Sequence, residues 1–223
     1  MKEILLVSKE LSKKNIFHKV RNNIILSRRS KVSIPMINND LIYLLGVIAG
    51  DGSLTKTRRR RGGYHYLIRI YAEKESFLKM LNKIYKKYFL IDGKINKDKR
   101  KNSTYNLRVE NVIVFSYLTL YESEIGKKKK FKIPRVVKND KQYFLEYLSG
   151  LVDTDGSVYG KRIQLKQKSY ELLKEISQIL NRFNLNCSEP KVNFTNNKPY
   201  YYIRFDNKIP LRYKTNNFLN QEG

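Results

Sequence analysis

Leu44-Leu45-Gly46-Val47-Ile48-Ala49-Gly50-Asp51-Gly52 and Leu148-Ser149-Gly150-Leu151-Val152-Asp153-Thr154-Asp155-Gly156 write one pattern twice, with the final acids at 51 and 155. In each copy an apolar run ends in Asp-Gly, so a carboxylate stands where a buried helix gives way to a loop. Residues 41–49 are apolar almost all round a helix, through Leu41, Ile42, Leu44, Leu45, Val47 and Ile48, which calls for burial on more than one side. Asp40 is the expected N-cap. Gly46 and Gly50 share one helical face and each costs helix propensity. The expected compensation is close approach of a second helix backbone. The second copy, expected as a helix over residues 142–152, carries Ser149, Gly150 and Thr154 at matching places.

The segments downstream of the two motifs repeat as well. After a polar loop over residues 55–63, a strand is expected over 64–71, with His65, Leu67, Arg69 and Tyr71 facing away from Tyr66, Ile68 and Ile70. A helix over 75–90, a strand starting at Lys94, a second strand over 105–110 and a helix over 112–121 complete the half. Residues 75–90 match 170–185, Leu78 with Leu173 and Ile84 with Ile179, and residues 105–111 match 201–207. The second copy lacks the arginine-rich loop. The duplication implies an α+β chain of two similar halves about a pseudo-twofold axis, with the glycine-bearing helices as the shared interface. Residues 1–38 are then a basic N-terminal arm, expected as one or two helices, with Leu11 to Val20 as half of a possible helix-turn-helix. Residues 39–125 form the first repeat, 126–139 a lysine-rich linker, 140–208 the second repeat and 209–223 a C-terminal tail.

Composition narrows the function classes. A chain of 223 residues with 41% hydrophobic content can bury a real core in one domain or two. Against 20 Asp and Glu stand 46 Lys and Arg, a formal charge of +26 that a polyanion would relieve, and nucleic acid is the first inference. A membrane is the alternative, but no apolar run approaches the roughly 18 residues of a spanning helix. Cys187 is the only cysteine, which excludes an internal disulfide, and His18 and His65 have no spacing that joins them to it in a zinc site. A hard cation held by carboxylates is the remaining metal option. The opening residues carry no signal-peptide pattern and the chain no protein-splicing junction, so an intracellular protein, freestanding or intron-encoded, is expected.

The two nonapeptides and the duplicated order around them resemble the single-chain, two-repeat LAGLIDADG homing endonucleases, over roughly residues 34–208. Ala49 departs from the motif's inner acid, which Asp153 keeps, and Leu45 and Ser149 stand where the motif has alanine. The resemblance implies two pseudo-symmetric αββαββα-type half-domains packed through paired LAGLIDADG helices, with twisted antiparallel sheets forming a DNA-binding saddle. It implies a monomer that makes a double-strand break at a long target in double-stranded DNA, as in intron homing. An RNA-splicing maturase acting on intron RNA, or a non-cleaving DNA-binding regulator, is the other reading of the same fold.

Hydrolysing a phosphodiester needs an activated water, neutralised charge on phosphorus and a stabilised leaving oxygen, all of which divalent cations held by carboxylates can supply. Asp51 and Asp155 are the candidates, and the pseudo-twofold is expected to bring them beneath two scissile phosphates. Mg2+ is the expected ion, with Mn2+ or Ca2+ as substitutes, because carboxylate, carbonyl, water and phosphate are hard oxygen ligands. The resemblance adds the carbonyls of Gly50 and Thr154 as metal contacts. It also places Lys74 and Lys168, preceded by Glu73 and Gln167, at the strand ends where such residues order water and stabilise the transition state. Lys161 is a further candidate for that pocket. For base reading in the major groove the candidates are Arg69, Tyr71 and Arg108, then Arg162, Gln164, Lys166, Tyr202 and Arg204. Arg58, Arg59, Arg60 and Arg61 are expected to grip phosphate beyond them.

Overall fold

A computed structural model describes residues 2–28, 30–60, 62–98, 104–121, 132–195 and 198–212. Arg61, the lysine run of the linker and the tail beyond Arg212 lie outside these described residues. Two compact units divide the chain: Met1–Leu41 with Asp51–Gly126, and Ile42–Gly50 with Lys127–Gly223. The boundary thus cuts through the first motif helix, whose middle belongs with the second repeat.

The first unit opens with the amphipathic helix α1 (Lys2–Lys13), which buries Ile4, Val7 and Leu11. The rest of the expected helical arm is instead a small antiparallel sheet, β1 (His18–Arg21), β2 (Ile24–Ser27) and β3 (Lys31–Ser33), in that order. Asn22 adopts φ 54° between β1 and β2, a conformation that asparagine tolerates and that suits a two-residue hairpin turn. The β-branched Val20, Ile24 and Ile25 then favour strand over helix. The helix-turn-helix expectation falls with the second helix. Ile25 and Val32 are fully buried on the inner face, and the His18 ring, within 2.7 Å of the Ser8 hydroxyl and 2.8 Å of the Ile16 carbonyl, ties the sheet to α1.

The motif helix α2 (Asn39–Asp51) starts before its expected cap. The Asn38 side chain accepts the Leu41 N–H at 3.2 Å, so Asn38 caps the helix, while Asp40 accepts from the Tyr88 hydroxyl at 2.6 Å and Lys87 at 3.2 Å. The first part of the expected polar loop, residues 55–58, belongs instead to strand β4 (Gly52–Arg58), paired antiparallel with β5 (Tyr64–Ala72) from Gly52↔Ile70 to Arg58↔Tyr64. Leu54 is the single buried apolar side chain that fixes its inward face, a signal that the neighbouring cations obscure. Next come α3 (Glu75–Phe89), β6 (Lys94–Lys97), β7 (Tyr105–Val109) and α4 (Val112–Thr119), with the sheet in the order β4-β5-β7-β6. From α2 to α4 this is αββαββα.

Asn111 caps α4: its buried side chain accepts the N–H groups of Ile113 and Val114 at 2.9 and 3.2 Å. Asn111→Ala is expected to cost about 1–2 kcal/mol, read from the urea midpoint. An unchanged midpoint would show that the cap is dispensable.

The second unit holds α5 (Arg135–Lys138), α6 (Lys141–Asp155), β8 (Gly156–Tyr159), β9 (Arg162–Gln167), α7 (Tyr170–Arg182), β10 (Lys191–Thr195) and β11 (Lys198–Asp206). Its sheet runs β8-β9-β11-β10, the same order as the first. Asp140 caps α6 through the Tyr143 N–H at 2.9 Å, and the helix continues past its expected end to Asp155. Both motif acids are therefore the last residues of their helices. Residues 42–50 of α2 and the body of α6 meet backbone to backbone: a Cβ on Gly46 would lie 2.1 Å from the Tyr147 carbonyl oxygen, and one on Gly150 would lie 2.3 Å from that of Tyr43. The contact is reciprocal, each glycine covering the carbonyl three residues before the other. No described helix is long and apolar enough to cross a membrane.

Candidate active site

In the second unit, Asp155 ends α6 half-buried, and the chain turns to extended geometry at Gly156. A helix that stops there leaves its last carbonyls without N–H partners one turn on, and the negative end of its dipole falls at the same place. A carboxylate adds charge of the same sign, an arrangement suited to a cation. The Gln167 side-chain amide donates to Asp155 Oδ2 at 2.7 Å and fixes the carboxylate's orientation. Gly50 closes on the same place: a Cβ there would lie 1.8 Å from Thr154 Oγ1 and 3.0 Å from Asp155 Oδ2. The Thr154 hydroxyl donates back to the Gly150 and Leu151 carbonyls at 3.1 and 3.0 Å. Gly50, Thr154, Asp155 and Gln167 thus form one cluster.

Asp51, exposed at the end of α2, belongs to the first unit. Gly52 pairs with Ile70 as Gly156 pairs with Leu165, so Asp51 and Asp155 hold equivalent places in equivalent sheets. The same register matches Ala72 with Gln167, Glu73 with Lys168 and Lys74 with Ser169, consistent with helices that begin at Glu75 and Tyr170. This corrects the expected matching of Lys74 with Lys168 and of Glu73 with Gln167, which is one residue out of step. The two halves are consequently unequal: the amide that braces Asp155 has an alanine in its counterpart. Glu73, Lys74 and Lys168 are exposed at the strand-helix junctions. Lys161 is removed from the pocket, because it sits in the β8–β9 turn, about 13 Å of strand away from Asp155.

The motif's inner acid has a different environment. Asp153 Oδ2 accepts the Tyr43 hydroxyl at 2.6 Å, and burial pushes its carboxyl up to about 6 although that hydrogen bond pulls the other way. It works within the helix seam. Arg212 packs its guanidinium 5.3 Å from the Tyr43 ring centre, and its backbone N–H donates to the Ser149 hydroxyl at 2.9 Å. The alanine-to-serine departure in the second motif thereby receives a structural use.

On the face of each sheet turned from its buried apolar rows, polar side chains line up. Arg69 stands opposite Arg108, and Arg108 opposite Lys94; in the second sheet Gln164 stands opposite Arg204, and Lys166 opposite Tyr202. Neighbours hold these cations in place. Arg69 donates to the Tyr71 hydroxyl at 3.1 Å, Arg204 Nε donates to Gln164 Oε1 at 2.9 Å, and Lys166 lies 5.6 Å from the Tyr200 ring centre. Gln164 is buried and so braces Arg204 rather than standing open. Arg108 pairs with Glu110, which also lies 2.7 Å from His65. Burial works to raise the Glu110 carboxyl, but the His65 hydrogen bond and the Arg108 charge hold it below the usual range. Arg162 stands opposite Asp206 in the strand register, and Arg58, Arg59 and Arg60 are exposed at the end of the β4–β5 hairpin. Ser53, Lys94, Asn106 and Tyr200 share these faces and are missing from the set expected from sequence. Alternation in residues 53–55 is the signal that could have found Ser53.

Residues 41–123 match the WhiA LAGLIDADG-like domain, and residues 142–214 match the LAGLIDADG-like domain. The chain belongs to the LAGLIDADG proteins. This two-repeat LAGLIDADG chain has the fold of I-DmoI in complex with DNA and Mn, with a TM-score of 0.60 and 21% identity over 75% of this chain and 89% of that one. I-DmoI in complex with DNA and Ca gives 0.55 and 20% over 79% and 85%. Variants of the homing endonuclease I-DmoI give 0.59 and 21% over 76% and 84%. A DNA polymerase of Thermococcus sp. (strain GE8) is 27% identical over 179 residues; the match takes in 78% of this LAGLIDADG chain but only 10% of the polymerase's length.

Proposed function

We propose that this chain is an intracellular, monomeric, site-specific endonuclease that breaks both strands of a long DNA target, using divalent metal at Asp51 and Asp155. The observation that carries this reading is the pair of equivalent helix ends, each closing on one aspartate, beside sheets whose outer faces carry ordered arginine and lysine. Among the described residues no group of three or more His, Cys, Asp or Glu side chains gathers as a metal cage. That donor set fits magnesium, which commonly takes one or two carboxylates and completes its shell with waters and substrate phosphate. The complexes of I-DmoI with DNA and Mn or Ca support the same choice of ion.

Asp155 and Asp51 would hold the ions, with the Gly50 and Thr154 carbonyls as further oxygen ligands. Magnesium bound there supplies Lewis-acid stabilisation of the phosphorane charge and lowers the pKa of water. Gln167 keeps the Asp155 carboxylate in one orientation and leaves its amide oxygen available to a water. Lys74 and Lys168 supply mobile positive charge near the reacting phosphates. The sheet faces, through Arg69, Tyr71, Arg108, Arg162, Lys166, Tyr202 and Arg204, would meet base edges, and Arg58, Arg59 and Arg60 would meet phosphate. The test is cleavage of a plasmid library of candidate sites with magnesium, repeated with chelator. Magnesium-dependent linear product is expected; duplex binding without cleavage in magnesium or manganese would return the chain to the regulator or maturase reading.

The unequal halves give a sharper expectation. Gln167→Ala should slow the cut served by Asp155 about 10–100-fold, the usual cost of losing a residue that orients a metal ligand, and leave the other cut unchanged. Nicked circles should accumulate, resolved by strand-specific labelling. Equal slowing of both strands would reject this assignment.

A further inference from the structure

We propose that the N-terminal module, α1 with β1–β3, is an additional duplex-DNA surface that grips phosphates independently of sequence. It rests on the reading of DNA as the ligand and adds a contact that neither motif nor repeat sheet provides. No acidic residue stands between Glu10 and Asp40, a stretch that holds Lys13, Lys14, Lys19, Arg21, Arg28, Arg29 and Lys31. Strand register puts Lys19 and Lys31 on either side of Leu26, and Arg21 beside Ile24, all on the face turned away from the buried Ile25 and Val32. Lys19, Arg21, Arg28 and Lys31 are exposed. Among the described residues no ion pair reaches any of them. Like charges repel one another, and of the acids of α1, Glu10 is taken up by Lys13 and Lys14 and Glu3 forms no described ion pair with these four; a polyanion would offset the repulsion.

The module is anchored to the first repeat. Lys14, at the end of α1, donates to the Ser116 hydroxyl on α4 at 2.7 Å, and its ammonium lies 5.8 Å from the Tyr66 ring centre. Lys56 of β4 lies 5.9 Å from the same ring and 4.0 Å from that of Tyr64. Burial pushes the Lys14 ammonium below its ordinary range; Glu10 opposes this, and Lys56 and Lys13 add to it. Cations therefore run on from the β4–β5 hairpin to the module. Its outer face offers lysine and arginine separated by leucine and isoleucine, and no Asn or Gln aimed from a strand, which suits phosphate rather than base edges. Held on the same unit as the repeat sheet, it would meet DNA already bound there at high effective concentration, which favours DNA over a separate RNA ligand.

The test uses the full chain carrying Lys19→Ser, Arg21→Ser and Lys31→Ser, with a charge-matched control of Lys79→Ser, Lys83→Ser and Lys86→Ser on α3. Affinity for a random-sequence DNA duplex of about 40 base pairs is measured by anisotropy across salt concentration. Each lost phosphate contact removes about 0.9 from the slope of log affinity against log salt. For three contacts, the module variant should lose about 40-fold less affinity than the parent chain between roughly 50 and 200 mM salt. The control should keep the parent slope. Equal slopes for parent and module variant, or the same change in the control, would overturn the proposal. So would a loss seen with an RNA duplex of the same length but not with DNA. Binding is read without cleavage, so a chain that behaves as expected here and cuts nothing would sink the endonuclease reading alone.

Discussion

Asp155→Asn is expected to lower magnesium-dependent cleavage about a thousandfold or more, to leave duplex affinity nearly unchanged, and to raise thermal stability. The third part makes the first diagnostic. Asp155 sits at the negative end of α6, where a carboxylate is unfavourable by about 0.3–1 kcal/mol, so a neutral isostere relieves the fold. Asparagine keeps an oxygen that can accept the Gln167 amide, now at 2.7 Å from Asp155 Oδ2, and the packing is preserved. What is removed is the charge that holds the cation, and about 4 kcal/mol of transition-state stabilisation corresponds to that thousandfold. Asp51→Asn at the equivalent end of α2 should behave alike. Opposite signs for stability and activity would mark both acids as placed for chemistry at the expense of the fold. Undiminished cleavage in either variant rules that acid out.

The second large effect concerns Gly46 and Gly150. In an exposed helix, glycine to alanine gains about 1 kcal/mol. Here the added methyl would meet backbone, 2.1 Å from the Tyr147 carbonyl oxygen at position 46 and 2.3 Å from the Tyr43 carbonyl oxygen at position 150. A backbone carbonyl cannot rotate away as a side chain can, so the helices must separate. Gly46→Ala and Gly150→Ala are each expected to cost at least about 3 kcal/mol after the propensity gain, lowering the denaturation midpoint and DNA binding together. Gly50→Ala differs in kind, because its methyl meets the Thr154 side chain and Asp155 Oδ2. It should disturb cleavage more than stability. A rise in midpoint for Gly46→Ala would refute the close contact.

The repeat, the motif helices and the strands β5, β7 and β11 are legible in the sequence because the chain supplies its own second copy for alignment. Two glycines in an otherwise apolar helix also have few uses besides close packing. Other features lie out of reach for physical reasons. β4 hides because Lys56 and Arg58 dilute an alternation that only Leu54 anchors. β1–β3 hide because Asn22-Asn23 carries no glycine, although asparagine adopts the left-handed conformation the turn needs. The strand-end residues are a different case: the match of residues 75–90 with 170–185 already sets Lys74 against Ser169, and the pairings of Gly52 with Ile70 and of Gly156 with Leu165 agree. Matching Lys74 with Lys168 therefore follows chemical likeness rather than alignment, and a slip of one residue exchanges roles as well as faces. The bond from Gln167 to Asp155 depends on that register.

The division of α2 between the units also bears on synthesis. Residues 42–50 leave the ribosome long before α6, yet they complete the unit that α6 builds. The second repeat cannot finish its core from its own segment, and the first cannot keep its motif helix to itself. Long-range docking of this kind slows folding and couples the two repeats into one cooperative event. Either repeat expressed alone would display an apolar, glycine-notched helix face, a surface primed to recruit another copy. Interchange of repeats between relatives would therefore have to carry both motif helices as a matched pair.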